Sequence, residues 1–391
     1  MDKDLIQDIK NAIEHSGFSF EHYVYNILRE HGWQIIANRH YIDDVKGVER
    51  ELDLLAYKIY TDKIENISYI TSLIISCKKS HANKWCFLTR DTDPNDVNTD
   101  WTPYHYCTNE PILSYMTKHH RDIITDAYIS NQSIKPLYDF NKRVFSYQVL
   151  SEKGTSKKRG DEVRQWQFVE NTSVYDSIIT SIKALTAEKS SRIEQHCEKT
   201  HKRYYTFHIL SLFDGEMVQS HLDNKGDIVS KKITDINYLN RHIVNGVEDF
   251  YAINFITKES IDCKLSILDE LHKQNSTILP SLVSKFYKDV FEDRNKVDLK
   301  WEEFKNRILW MVKKVLGEND DLASLETTSL TYSYDNRENV LEICVDLPYV
   351  LPYEDVKRLN EDSQLNKITK VFLEKVFRYK GLFTFSDGLP F

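Results

Sequence analysis

Apolar residues first recur at helical spacing. Leu5, Ile6, Ile9 and Ile13 fall on one side of a helix over 3–15. GFSFEHYVYNILREH (17–31) predicts a second helix, with Ser16 as N-cap and Gly32 as its stop. The period then changes. WQIIANRHY (33–41), RELDLLAYKIY (50–60) and ISYITSLIISC (67–77) are runs rich in Ile, Leu and Tyr. Turn material separates them, DDVKG (43–47) and TDKIEN (61–66). The pattern predicts three strands in a meander, the second and third pairing through 61–66.

From 81 to about 170 the pattern is irregular. DTDPNDVNTD (91–100) predicts a loop, and SEKGTSKKRGDEVR (151–164) an exposed, mobile basic stretch. Regularity returns with a long helix over 174–200 and a strand over 203–213, closed by Asp214-Gly215. A strand at 228–233, a short helix at 236–244, a strand at 249–257 and a helix at 259–274 follow. WEEFKNRILWMVKKVLGE (301–318) predicts a helix with Trp301, Trp310 and Met311 in a core. Residues 330–348 read as a hairpin turning at Asp335-Asn336-Arg337, and 354–378 as mostly helical. The class expected is α/β (α+β), with a first domain over 1–275, an insertion near 81–170, and a C-terminal α+β domain over 276–391.

Composition narrows the class. The 391 residues are 41% hydrophobic and 29% charged, an ordinary globular balance. The opening MDKDLIQDIKNAIEHS has no apolar core region, and no run is long enough to cross a bilayer. Six scattered cysteines without a CxxC pair suit reduced thiols. A cytoplasmic protein with no membrane partner is therefore expected. The net charge of −8 argues against a protein that coats nucleic acid through its own field. Lys157, Lys158 and Arg159, with Lys153 and Arg164, form a local basic stretch that can meet phosphates or simply be solvated. Cys86, Cys107, His119 and His120 fit no compact zinc spacing.

Chemistry enters where strand and helix patterns meet. Side chains alternate along a strand, so Ser76 and Lys78 share one face. Glu51 and Asp53 share a face of the preceding strand. Pairing of the two strands brings Asp53 to Lys78 and gives that lysine its carboxylate. Gly17, Glu21, Val24, Tyr25 and Leu28 line one stripe of the second helix, which puts Glu21 on its core-facing side. A carboxylate there needs a metal, a cation or hydrogen-bond donors. Glu21 and Asp53 can hold Mg²⁺ or Mn²⁺, and Lys78 can orient water or stabilise charge on a phosphate.

The run from GFSFEHYVYNILREHGW through RELDLLAYK to LIISCKKS resembles the PD-(D/E)XK nuclease superfamily, the restriction-endonuclease-like fold. The resemblance covers about 1–80 and 170–270. It implies an αβββαβ core in which Glu21 is the helix acid, Asp53 the strand aspartate and Lys78 the lysine. The acid of (D/E)-x-K falls at position 76, where this chain has serine. Glu51 is the nearest replacement, and Ser76 itself and the Cys77 carbonyl are further ligand candidates. Lys79, on the other face, takes no catalytic role. The resemblance implies a Mg²⁺- or Mn²⁺-dependent endonuclease acting on DNA, in restriction or antiphage defence. It also implies a protein partner and a homo-oligomer, because a duplex has two strands to cut. The alternatives are a catalytically inactive nuclease-fold module that binds nucleic acid or protein, and a repair nuclease acting alone.

Overall fold

The computed structural model describes residues 3–43, 47–158, 161–170, 172–196, 201–223, 225–244, 246–317 and 328–388. The chain divides into two compact units, Met1–Pro280 and Ser281–Phe391.

The first unit opens with α1 (Lys3–His15) and α2 (Phe18–Glu30). Ser16 does not cap α2. Its hydroxyl donates backward to the Ile13 carbonyl, and Gly17 holds the cap position. Gly32 does stop the helix, at a φ of 75° that glycine adopts without strain. Three antiparallel strands follow, β1 (Gln34–Asp43), β2 (Val48–Asp62) and β3 (Ile67–Asp91). β2 pairs with β3 from Asp62↔Ile67 to Leu54↔Ile75, through the turn expected at 61–66.

The region expected to be irregular keeps a loop over 92–104, as expected near 91–100, but the rest carries regular elements. β4 (His105–Thr108), α3 (Pro111–His119) and α4 (Arg121–Ser130) come first, then β5 (Lys142–Lys158) and β6 (Asp161–Val169) as an antiparallel hairpin. Residues 151–158 and 161–164 of the basic stretch belong to this hairpin, because their backbones pair from Ser151↔Gln167 to Lys158↔Asp161.

A crossover through α5 (Thr172–His196) leads to β7 (Lys202–Leu222), which lies parallel to β3. Both strands are longer than expected. β3 does not stop at Cys77 and β7 does not stop at Asp214-Gly215; they run together to Thr89↔His221, with one irregularity between Lys79 and Lys84. Gly215 is not a turn residue. A Cβ there would collide with the Ser80 carbonyl and the Phe213 ring, so its role is close approach of two strands.

β8 (Ile228–Ile233) pairs with the far half of β7. Residues 236–244 are not a helix but part of β9 (Asp235–Val244), antiparallel to β10 (Val247–Thr257). The Ile, Tyr, Leu and Val of this segment suit a strand, and β10 gives it a full ladder. The sheet thus has the path β1-β2-β3-β7-β10-β9. α5 covers one face, sharing a core with Ile70, Ile74 and Ile209 through Val174, Ile178 and Ile182. Val24 and Leu28 of α2 meet Ile75 and Leu212 on the other. α6 (Ile261–Lys288) starts on that side with Ile261 and Leu265, and runs 14 residues past the end expected at 274.

The second unit holds α7 (Arg294–Leu316), the hairpin β11 (Ser329–Asp335) and β12 (Val340–Asp346), α8 (Tyr353–Glu361), α9 (Ser363–Phe377) and β13 (Leu382–Asp387). β13 was not anticipated; it pairs parallel to β12. Trp301 and Met311 are buried, but Trp310 is 56% exposed and lies outside the core.

Candidate active site

α2 sets the first group. Phe20, Val24 and Leu28 recur every fourth residue and are fully buried, so they fix the face of α2 that meets the sheet. Glu21 follows Phe20 directly and sits half-buried at the border of that face.

The second group stands where a ladder ends. The last β2–β3 partners are Leu54 and Ile75. One step further, Asp53 uses its side chain where a strand would use its carbonyl: the Cys77 N–H donates to Asp53 Oδ2 at 2.6 Å. Lys78 then reaches the same oxygen, its Nζ 3.7 Å away. The two side chains keep 31% and 19% of their surface, so both remain open to a ligand.

Electrostatics ties Glu21 to this pair. Its pKa is raised, first by burial and then by the Asp53 charge, with Lys78 opposing and Glu51 adding a smaller push upward. One lysine facing three acids leaves local negative charge, which a divalent cation offsets. Hard carboxylate oxygens with room for water suit Mg²⁺ or Mn²⁺. Among the described residues no group of three or more His, Cys, Asp or Glu side chains is arranged to hold a metal. Asp53 and Glu21 are two carboxylates, a number within what Mg²⁺ accepts when it keeps several waters.

Ser76 and Glu51, the other side chains expected as ligands, differ in exposure. Ser76 is 1% exposed and its hydroxyl has no hydrogen-bond partner among the described residues. It lies beside Ser211, which is hydrogen-bonded to Ser177 of α5 at 2.6 Å. Glu51 is exposed and opposite His40 on β1. The Cys77 side chain is buried, and burial pushes its thiol pKa well up, so it stays protonated and is no nucleophile. Lys79 points away, donating to the Glu14 carbonyl and to Ser19 Oγ, and so ties β3 to α1 and α2. Lys157 and Lys158 lie on β5, with nothing described of their side chains, and Arg159 is outside the described residues.

A further buried acid lies beside Lys79, on the face away from Lys78. Asp214 of β7 is the neighbour of Lys79 in the parallel register, 9% exposed, with Lys258 Nζ 3.5 Å from its Oδ2. The signal was present in Asp214-Gly215, but it reads equally well as a turn. Comparison with protein families, curated proteins and solved structures finds no match for the chain.

Proposed function

We propose that the Met1–Pro280 unit is a metal-dependent nuclease with a restriction-endonuclease-like core. The observation that carries the reading is the convergence of Asp53 and Lys78, 3.7 Å apart, with Glu21 within electrostatic reach. The succession α2-β1-β2-β3, then α5-β7 after the β4 to β6 elements, with β7 parallel and adjacent to β3, supports it, because the resemblance implies an αβββαβ core.

In this reading Asp53 and Glu21 hold Mg²⁺ or Mn²⁺. The ion, when bound, supplies Lewis acidity toward a phosphate oxygen and an acidified water. Asp53 is oriented for this by the Cys77 N–H, which fixes one carboxylate oxygen and leaves the other for a ligand. Lys78 places an ammonium where charge builds on the phosphate as water adds and the ester oxygen leaves. DNA is the substrate proposed, with action in restriction or antiphage defence beside a protein partner, as a homo-oligomer in the cytoplasm. Among the described residues no helix is long and apolar enough to cross a membrane.

The test is cleavage of plasmid and single-stranded DNA with Mg²⁺ or Mn²⁺, comparing wild type with Asp53→Ala and Lys78→Ala. Cleavage by the wild type alone supports the reading. A folded wild type that neither cleaves nor binds Mn²⁺ in calorimetry defeats it. The second reading, an inactive module that keeps the fold for docking, is favoured by one observation: the position of the third acid is a buried serine.

A further inference from the structure

A second cavity opens on the α5 side of the same sheet. It encloses about 270 Å³ between β1, β2, β3, β7 and the last turns of α5. Ser72 lines it, and Lys78 lies six residues further along β3, about 20 Å away at strand rise. Leu55, two residues from Asp53 on β2, also lines it, so the cavity begins about 7 Å from that aspartate and extends away from Lys78.

Its lining has two characters. Ile36, Leu55, Ile59 and Ile70 supply aliphatic wall, and Tyr57 and Tyr205 supply ring faces. Of the polar lining, Ser68 and His201 bond to each other at 2.9 Å, while two groups have no partner among the described residues. Ser72 is 4% exposed, and its hydroxyl makes no hydrogen bond among the described residues. The Arg203 guanidinium likewise has no partner among the described residues, although its backbone is held at both ends. Its N–H donates to Asn109 Oδ1 at 2.7 Å, and its carbonyl accepts from Thr108 Oγ1 at 2.7 Å. The cavity's carboxylate, Glu188, is already neutralised by Arg39 and Arg192 at 2.9 and 3.0 Å. The charge left over is positive.

We infer that this cavity binds a mononucleotide, a nucleobase carrying one phosphate. The fixed backbone presents the Arg203 fork to an anion with two or more oxygens, the geometry that phosphate matches. An aliphatic acid would cover the walls but leave the Ser72 hydroxyl without a partner. A sugar phosphate would satisfy the hydroxyl but lay polar surface on isoleucine and leucine. A nucleobase has flat apolar faces for the tyrosine rings and a hydrogen-bonding edge for the serine. The nuclease reading is not needed for this inference.

The test titrates AMP, GMP, CMP and UMP into the full-length chain by calorimetry, without divalent metal. At least one binds with Kd below about 1 mM, and its nucleoside binds at least about tenfold more weakly. Arg203→Ala and Ser72→Val each weaken binding about tenfold or more, with unchanged melting by circular dichroism. A 5′-phosphorylated oligonucleotide competing equally well assigns the occupant to a strand end, and failure to compete assigns it to free nucleotide; both support the site. Absence of binding by all four, equal affinity for the nucleoside, or full affinity in Arg203→Ala overturns it. Tighter, Arg203-dependent binding of decanoate overturns it in favour of an aliphatic acid.

Discussion

Asp53 Oδ2 is shared by the Cys77 N–H at 2.6 Å and Lys78 Nζ at 3.7 Å. The same atom thus closes the end of the β2–β3 ladder and faces the candidate catalytic lysine. Asp53→Asn keeps an acceptor oxygen for the amide but loses the charge. Cleavage is expected to fall at least about a hundredfold, as for loss of a principal electrostatic group. Thermal stability should fall less than in Asp53→Ala, which strands the Cys77 N–H and costs about 1–3 kcal/mol. Lys78→Ala should abolish cleavage with little change in stability, because a part-exposed ion pair contributes only about 0–1 kcal/mol. Unchanged cleavage in Asp53→Asn would remove Asp53 from the site.

How much of this was legible follows from local pattern. Glu21, Asp53 and Lys78 were found because each element around them keeps its period: α2 buries every fourth residue, and β2 and β3 are apolar runs bounded by turns. The true length of β3 was hidden. Lys78, Lys79, Ser80 and His81 break the apolar run, and the strand continues only because β7 stays in register beside it. β9, the β5–β6 hairpin and β13 owe their form to partners distant in sequence, which a window of ten residues does not contain. The tether from Lys79 to Ser19 and the pairing of Asp214 with Lys258 are likewise tertiary facts.

Ser76 separates the two readings of the site. Its hydroxyl is buried and makes no hydrogen bond among the described residues, so Ser76→Ala removes an unsatisfied polar atom. Melting temperature should stay level or rise. Cleavage should be retained, with Mn²⁺ affinity unchanged. A loss of Mn²⁺ binding in this variant would make the hydroxyl a ligand.

Gly215 tests the joint that lets β3 and β7 run on past Lys79. Gly215→Ala drives a methyl into the Ser80 carbonyl and the Phe213 ring. The expected cost is about 1–3 kcal/mol, read by urea denaturation. Wild-type stability in this variant would mean that the strands are not pressed together there.

Asn275 of α6 joins three elements. It is 1% exposed, accepts from the Tyr128 hydroxyl, and donates to Thr71 Oγ1 at 3.1 Å and Thr206 Oγ1 at 3.3 Å. Asn275→Ala leaves the buried tyrosine hydroxyl without its acceptor. A loss of about 1–3 kcal/mol is expected by chemical denaturation. Faster amide exchange should appear in α4, which carries Tyr128. A variant as stable as wild type would show that water replaces the amide.

The histidines make opposite contributions to pH dependence. His31 closes α2 against α6, with Nδ1 2.7 Å from Asp269 Oδ2 and Nε2 3.0 Å from Asp262 Oδ1. Burial pulls its pKa down, but hydrogen bonds and charge from Asp269 and Asp262 outweigh burial and raise it. Its contribution is full below the ordinary imidazole value of about 6.5 and is lost as pH rises through the folded value. His272 and His208 are the reverse case: burial lowers each to about 4. The unfolded chain takes up their protons first, so stability falls as pH drops from about 6.5 toward 4. His31→Gln should therefore narrow its stability deficit relative to wild type between pH 6 and pH 9, measured as the difference in melting temperature at each pH. His272→Gln should lessen the loss on acidification. A His31→Gln deficit that is constant across this range would mean that the ring is neutral in the fold and held by packing alone.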